Sequence, residues 1–261
     1  MIDVHCHLGD NKFNEDLDEV LRNAVTAGVQ KMVVVPEFES QFKKVIDMCR
    51  SHRGVLYAGV GVHPIQKRNK SVKMKNVAKI EEFLVTNEMD VICIGEVGLD
   101  HTKSQFKLSE NDLEEQEQVF NFQIDLAKHF EKPLNVHSTS AARRTIEVLR
   151  DAHVPPDRVV LHAFDGSADD AVLGVEAGFL FSIPPSFVQS ERAAQLIKSI
   201  PINLLLLETD SPALGPEKGI RNVPENIFLS AELIAKVKEI TFEEVVTATV
   251  ANSHRLFKFS D

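Results

Sequence analysis

Short apolar runs alternate with amphipathic segments along the whole chain. The runs are rich in β-branched and aliphatic residues, which favour buried strands, and the segments between them repeat their apolar positions at helical spacing. The predicted strands lie at residues 2–8, 31–36, 55–63, 91–98, 134–138, 158–163, 179–184 and 203–210. The predicted helices lie near residues 14–27, 39–51, 72–87, 111–131, 140–151, 167–177, 190–199, 226–238 and 242–256.

Regular alternation of strands and helices indicates an α/β fold in which parallel strands are covered by helices. Eight such units follow one another without a Gly/Pro/Ser-rich linker or a low-complexity segment. The length of 261 residues also fits one barrel of roughly 250 residues. We therefore predict a (β/α)8 TIM barrel that forms a single domain over residues 1–261. The alternative is a doubly wound open sheet.

Composition narrows the class of protein. The chain is 43% hydrophobic and 26% charged, which is ordinary for a soluble globular protein. Its formal net charge of −10 excludes a general polyanion binder, because long-range attraction of nucleic acid needs a positive field. A local basic patch or bound metal ions remain compatible with phosphate binding.

The three cysteines form a sparse, odd set that suits a reducing compartment. The first residues read as a strand without a secretion signal, and no apolar run reaches the roughly 20 residues that span a bilayer. We expect a cytoplasmic or nuclear protein with no membrane partner.

Ionisable side chains close most of the predicted strands. In a TIM barrel, the carboxyl ends of the strands carry the chemistry. A single such residue is most often a satisfied core or rim residue, but a set at matching positions indicates a shared site, because an unpaired buried charge costs several kcal/mol. The set comprises His5, His7, His63, Glu96, His137, His162 and Asp210.

Imidazoles and carboxylates without thiolates are typical of sites for borderline or hard divalent metals. Strand alternation places His5 and His7 on one face and turns Cys6 away from them. The remaining ligands are too many for one open site, and they suit two ions about 3.5–4 Å apart. Glu96 is the natural bridge because a carboxylate has two oxygens. Such centres activate water for hydrolysis, and the ligand set leaves amide, ester and phosphodiester substrates open.

Six motifs of the chain resemble those of the TatD-type metal-dependent deoxyribonucleases, a branch of the amidohydrolase-like barrels. They occur in the family's order over nearly the whole chain, at residues 3–8, 61–64, 94–100, 134–138, 162–166 and 207–212. Residues 181–186 and 212–218 are most similar to the third animal paralogue of the TatD domain-containing deoxyribonucleases.

The resemblance implies a TIM-barrel DNase that uses two divalent ions for 3′→5′ exonucleolytic trimming and cleavage at abasic sites. Mg²⁺ or Mn²⁺ is expected for activity, with Zn²⁺ as an alternative bound ion. The expected substrate is DNA, single-stranded or at ends, and the expected state is a monomer.

The resemblance also implies a role for each site residue. Asp210 joins His5 and His7 at the first ion, and it orients or deprotonates the attacking water. Glu96 bridges both ions. His63 contacts the scissile phosphate or acts as an acid, so the catalytic candidates are Asp210, Glu96 and His63. The second ion is held by His137 and His162.

Two departures from the family pattern affect the predicted substrate contacts. The Arg that commonly follows the Ser of the motif at residues 134–138 is Thr139 here, and Arg143 or Arg144 is the candidate replacement. The Arg-Asn-Glu-Pro motif near the end retains Arg221 and Asn222 as predicted substrate contacts but lacks its carboxylate.

Two other functions remain open at this point. One is an amidohydrolase-type hydrolase of a small cyclic amide, lactone or ester. The other is a metal-bound scaffold that has lost catalysis and binds a partner.

Residues 66–75 carry several basic side chains and no acid. The segment is either a solvated loop, which is the commoner case, or a contact for a nucleic-acid backbone. The cations are Lys67, Arg68, Lys70, Lys73 and Lys75.

Overall fold

A parallel eight-stranded sheet forms the centre of the computed structural model, which describes residues 1–103 and 105–259. Each strand of this sheet pairs with the next such strand along the chain, and two further short strands form a separate antiparallel hairpin. The strands are β1 (Ile2–Cys6), β2 (Lys31–Val34), β3 (Leu56–Val60), β4 (Ile65–Gln66), β5 (Lys70–Ser71), β6 (Val91–Gly98), β7 (Leu134–His137), β8 (Val159–Leu161), β9 (Leu180–Ile183) and β10 (Leu205–Leu207).

The first and last strands of the sheet meet just beyond their carboxyl ends. The backbone N–H of Asp210 donates to His5 O at 2.9 Å, and that of His7 donates to Ser211 O at 2.7 Å. The sheet order β1-β2-β3-β6-β7-β8-β9-β10 is thereby brought to a nearly closed barrel. This confirms the predicted (β/α)8 TIM barrel and excludes the doubly wound open sheet.

Helices surround the sheet. Their boundaries often carry side-chain caps, such as the capping boxes that begin at Ser109, Ser167 and Thr241. Among the described residues, no helix is both long and apolar enough to cross a membrane. The helices are α1 (Leu17–Thr26), α2 (Phe42–Ser51), α3 (Ile80–Asn87), α4 (Glu110–His129), α5 (Ala142–Asp151), α6 (Ala168–Glu176), α7 (Glu191–Ser199), α8 (Ile227–Lys238) and α9 (Phe242–Leu256).

Strand alternation divides the core into two apolar clusters. In β2, Met32 and Val34 belong to the large cluster that also contains the buried helix residues, whereas Val33 belongs to a smaller one. That smaller cluster also contains Cys93 and Val160. A period of two along each strand produces this split, because successive side chains point to opposite faces of a sheet.

One predicted helix was wrong at its start. Residues 72–87 read as one helix, but α3 begins only at Ile80. The preceding chain forms the β4–β5 hairpin and a short 3-10 turn at Met74–Val77. The hairpin strands are two residues each, too short for alternation to reveal them.

Candidate metal centre

The predicted ionisable residues come together at the carboxyl end of the barrel. His63, His162 and Asp210 were expected inside strands, but they lie just beyond β3, β8 and β10. The side chains are largely buried, so their charges need partners. The residues in the cluster are His5, His7, His63, Glu96, His137, His162 and Asp210.

Three ligand atoms from the two ends of the sheet converge on one point. The Nε2 atoms of His5 and His7 are 3.2 Å apart, and they lie 3.4 and 3.2 Å from Asp210 Oδ1. All three atoms are within reach of a single cation. The predicted grouping of these three residues is therefore compatible with the geometry.

The two carboxylate oxygens of Glu96 face different imidazoles. Oε2 lies 3.3 Å from His7 Nε2. Oε1 lies 2.8 Å from His137 Nδ1 and 3.4 Å from His162 Nε2. The carboxylate thus stands between His7 on one side and His137 and His162 on the other.

Hydrogen bonds on the far side of the rings select the tautomers of the first pair. His5 Nδ1 donates to Asn135 Oδ1 at 2.8 Å, and Asn135 is itself oriented by donating to Val4 O. His7 Nδ1 donates to Val35 O at 2.9 Å. In the neutral rings, both Nε2 atoms therefore present lone pairs to the centre, as metal-binding histidines do.

Glu208 is a buried residue of the site that the sequence interpretation missed. Its carboxylate accepts from His162 Nδ1 at 3.1 Å, from Ser182 Oγ at 2.5 Å and from the Ala163 backbone at 2.9 Å. These contacts turn His162 Nε2 towards Glu96. The signal was present in the sequence, because a charge that directly follows four consecutive leucines needs a buried partner.

Asp100 plays the same part for His137. It was noted within a motif but was given no role. His137 Nε2 donates to Asp100 Oδ2 at 3.1 Å, and Asp100 Oδ1 accepts from the Thr102 backbone. In the neutral ring, Nδ1 then presents its lone pair to Glu96 Oε1.

His63 differs from the other imidazoles of the cluster. Its Nδ1 lies 2.9 Å from both the backbone nitrogen and the carbonyl oxygen of Ile65, and the tautomer decides whether it accepts from the first or donates to the second. Its Nε2 lies 3.3 Å from His137 Nδ1 and 3.5 Å from Glu96 Oε1. Burial lowers the pKa of His63 to about 4. The ring is thus neutral, and its Nε2 faces the centre.

The electrostatics show that the centre requires positive charge. Burial opposes ionisation of Glu96 and Asp210, but the surrounding imidazoles outweigh it and hold both carboxyl pKa values below their usual range. Burial also opposes protonation of His137, but the neighbouring carboxylates outweigh it and raise the pKa of this imidazole to about 10. Two acceptors 2.8 Å apart, such as His137 Nδ1 and Glu96 Oε1, need a proton or a cation between them. The donor set therefore fits divalent metal.

The structure does not join the candidate arginines of α5 to the cluster. Arg143 forms an ion pair with Asp170 at 2.9 Å. Arg144 pairs with Glu117 at 2.5 Å and with Glu147 at 3.3 Å. Both guanidinium groups are engaged by carboxylates of α4, α5 and α6, so the expected replacement for the missing family Arg has no support in these contacts.

The predicted contacts near the end of the chain are also engaged within the protein. Arg221 donates to both carboxylate oxygens of Asp16 and lies over the Phe13 ring. Asn222 is buried, and its amide donates to Thr209 O at 2.7 Å. These bonds fasten the loop after β10 to the barrel and leave Asn222 no access to solvent.

Glu208→Gln is expected to weaken metal binding about 10- to 100-fold, because loss of a partner behind a metal-binding histidine has that effect. The amide cannot match the carboxylate at His162 Nδ1, Ser182 and Ala163 together. Titration calorimetry with Mn²⁺ measures the affinity, and urea unfolding of the metal-free proteins measures the structural cost. Affinity within twofold of the native value would show that Glu208 does not position His162.

Comparison of the sequence with known proteins identifies the family of this chain. The family model described as TatD related DNase matches residues 2–258. The human deoxyribonuclease TATDN3 is 42% identical over 98% of this chain and 94% of its own length. The uncharacterized metal-dependent hydrolase YabD of Bacillus subtilis is 31% identical over the full length of both chains.

Solved structures give the same assignment. The Escherichia coli TatD homologue YJJV superposes with a TM-score of 0.88 at 25% identity, covering 100% of this chain and 98% of its own. The match to the human relative also confirms the predicted similarity to the third animal paralogue. The chain belongs to the TatD-related DNase family of metal-dependent hydrolases.

Proposed function

We propose that the chain hydrolyses phosphodiester bonds of DNA by a two-metal mechanism. The observation that carries this proposal is the placement of Glu96, whose Oε2 faces His7 while Oε1 faces His137 and His162. A carboxylate shared in this way suits a pair of cations more closely than a single ion.

The protein residues divide the remaining work. His5, His7 and Asp210 form one ligand group, and His137 and His162 form the other, with Glu96 between them. When bound, divalent cations supply Lewis acidity and lower the pKa of water. We propose that Asp210 orients the attacking water and accepts its proton.

His63 is proposed as the contact to the scissile phosphate. Its Nε2 faces the centre, and the ring is neutral because burial lowers its pKa to about 4. We propose the tautomer in which Ile65 N–H donates to Nδ1 and Nε2 carries the proton. A neutral N–H donor hydrogen-bonds a phosphate oxygen without competing for the cations.

The proposal extends to the metal, the substrate and the unit that acts. We propose that residues 1–261 act as one catalytic domain and as a monomer. Mg²⁺ or Mn²⁺ are the proposed active ions, and Zn²⁺ is an alternative ion for the imidazoles to bind. Single-stranded DNA and DNA ends are the proposed substrates, cut by 3′→5′ exonucleolytic trimming and at abasic sites. Arg143 and Arg144 of α5 are left out of the proposed substrate contacts, because carboxylates of the protein engage both.

The test is hydrolysis of a 5′-labelled single-stranded oligonucleotide with Mg²⁺, Mn²⁺, Zn²⁺ or EDTA. We expect a ladder of products shortened from the 3′ end with metal, and none with EDTA. A second oligonucleotide with one abasic site reports incision there as a single internal product. Asp210→Asn, which keeps the side-chain volume, serves as the control against a contaminating nuclease and is expected to be inactive.

The competing functions give different outcomes. Hydrolysis of a cyclic amide or a lactone, with no cleavage of DNA under any ion, would replace the nuclease by the small-molecule hydrolase. Tight metal binding without hydrolysis of any of these substrates would replace it by the scaffold.

A further inference from the structure

A groove of about 1100 Å³ opens between the loops that follow β2, β3 and β6. These loops leave the carboxyl ends of their strands, so the groove lies on the same face of the barrel as the metal centre. Its walls carry five exposed cations and two half-buried phenylalanines, and we call it the basic groove. The cations are Lys67, Arg68, Lys70, Lys75 and Lys107, and the aromatic residues are Phe38 and Phe106.

The five cations of the basic groove do not form ion pairs with the carboxylates that the structure describes. Among the described residues, no carboxylate lies within 4.0 Å of the charged atoms of these five side chains. Lys73 provides the contrast, because it lies between Asp112 and Glu115 at 2.8 Å from each. Asp112 also lines the groove, but its charge is therefore matched, which leaves Glu39 as the unpaired acid of the walls. A chain with a net charge of −10 thus keeps a positive groove beside its metal centre.

Residues of the groove and a neighbouring loop are hydrogen-bonded to the backbone of His63, a residue of the metal centre. Gln66, in β4, donates through Nε2 to the carbonyl oxygen of His63 at 2.8 Å. The backbone N–H of His63 donates in turn to Glu37 O, in the loop that also carries Phe38. The groove therefore adjoins the metal centre on the side of His63.

The hairpin that presents the cations is held in place at both ends. Gln66 pairs with Lys70 and Ile65 with Ser71, and the Ser71 hydroxyl donates to Asp112 O on α4 at 3.2 Å. Arg68, at the tip, lies between the paired strands. Because the backbone is already ordered, binding a polyanion costs mainly the entropy of the side chains.

We propose that the basic groove binds the phosphate backbone of the DNA segment that adjoins the scissile bond. The proposal rests on the proposed function, and it adds that the enzyme recognises a strand of several nucleotides. Attraction to phosphates needs no base sequence, and the rings of Phe38 and Phe106 offer faces on which bases stack. The Lys67 ammonium lies 5.3 Å from the Phe38 ring, so charge and aromatic surface occur together.

The test compares two double variants that change the net charge equally. Arg68→Gln with Lys70→Gln removes two groove cations. Lys198→Gln with Lys236→Gln removes two exposed cations from α7 and α8, outside the groove. Each pair is placed in a full-length Asp210→Asn background, with Mg²⁺ in the buffer, so that the strand stays intact. Fluorescence anisotropy then measures the Kd of a labelled single-stranded oligonucleotide over a range of salt concentrations.

We expect the slope of log Kd against log salt to fall by about 1.4 for the groove pair, since each contact to single strands contributes about 0.7. At about 0.1 M salt this corresponds to roughly 25-fold weaker binding. The control pair is expected to keep the native slope and affinity. Equal effects of the two pairs would overturn the proposal, because the net charge of the protein would then explain the binding without the groove.

The variant Phe106→Leu distinguishes binding of a nucleic-acid strand from binding of a polyanion that has no bases. The variant keeps apolar volume but removes the ring, and it is expected to weaken oligonucleotide binding about fivefold or more. Binding of inorganic polyphosphate is expected to stay unchanged. If the oligonucleotide and polyphosphate bind equally well and respond equally, the groove is not a nucleic-acid site and the proposal fails.

Hydrolysis of bis(p-nitrophenyl) phosphate, in chains with native Asp210, separates the groove from the proposed function. This small diester reaches the metal centre without entering the groove, so the groove pair is expected to hydrolyse it at the native rate while its KM for the oligonucleotide rises. If the native chain hydrolyses neither the small diester nor the oligonucleotide, the proposed function is contradicted. The binding measurements alone decide whether the groove binds DNA.

Discussion

Glu96→Gln is expected to lower kcat for metal-dependent hydrolysis at least about 1000-fold, the equivalent of about 4 kcal/mol in the barrier. The amide keeps the volume of the carboxylate but loses its charge, and it offers only one acceptor atom. It therefore cannot face His7 on one side and His137 on the other as Oε2 and Oε1 do. We also expect the number of bound Mn²⁺ ions per chain to fall, as measured by elemental analysis after gel filtration.

Glu37→Gln is the matched control for this substitution. Glu37 is a half-buried carboxyl group at the same end of the barrel, and burial raises its pKa. Its oxygens are outside the ligand groups of the centre. We expect Glu37→Gln to retain kcat within a few fold. A Glu96→Gln protein with native metal content and native kcat would remove Glu96 from its bridging role.

Gly98→Ala is expected to destabilise the fold by about 3–5 kcal/mol, through overlap and backbone strain together. A Cβ at this position would overlap the carbonyl oxygen of His137 and lie 2.9 Å from its carbonyl carbon. The φ of +145° adds strain for any residue with a side chain. Relief of the overlap requires β6 to move away from β7, which separates Glu96 from His137.

Gly54→Ala isolates the strain from the overlap. Gly54 also has a positive φ, of +83°, but a Cβ there meets nothing within 4 Å. We expect it to cost about 1 kcal/mol. Urea unfolding of the two variants measures the difference. Equal losses would mean that close contact between β6 and β7 does not limit this position.

The barrel was predictable because its regular elements have a period that the sequence displays. Residues 91–98 and 242–256 were predicted with the boundaries that β6 and α9 have. The β4–β5 hairpin was not, because a strand of two residues has no alternation to detect. Its position was visible only as a cluster of cations, for which a solvated loop was the favoured interpretation.

The clustering of the ionisable residues at one end of the barrel was predictable for a different reason. An ionisable side chain that ends an apolar run is conspicuous in itself, as with Glu96 and His162. The contacts that orient such residues depend on other elements: Asn135 reaches His5 across the barrel. The engagement of Arg144 by Glu117 was equally hidden, because the two residues are 27 positions apart on different helices.

The order of synthesis has a consequence for the closure of the barrel at its first and last strands. His5 leaves the ribosome early, whereas Asp210, to whose backbone it is bonded, follows about 200 residues later, or about 10–40 s at 5–20 residues per second. During that interval the nascent chain carries the imidazoles of His5 and His7 without the carboxylate of Asp210. If these three residues hold one cation as proposed, the growing chain binds it weakly until the barrel is complete.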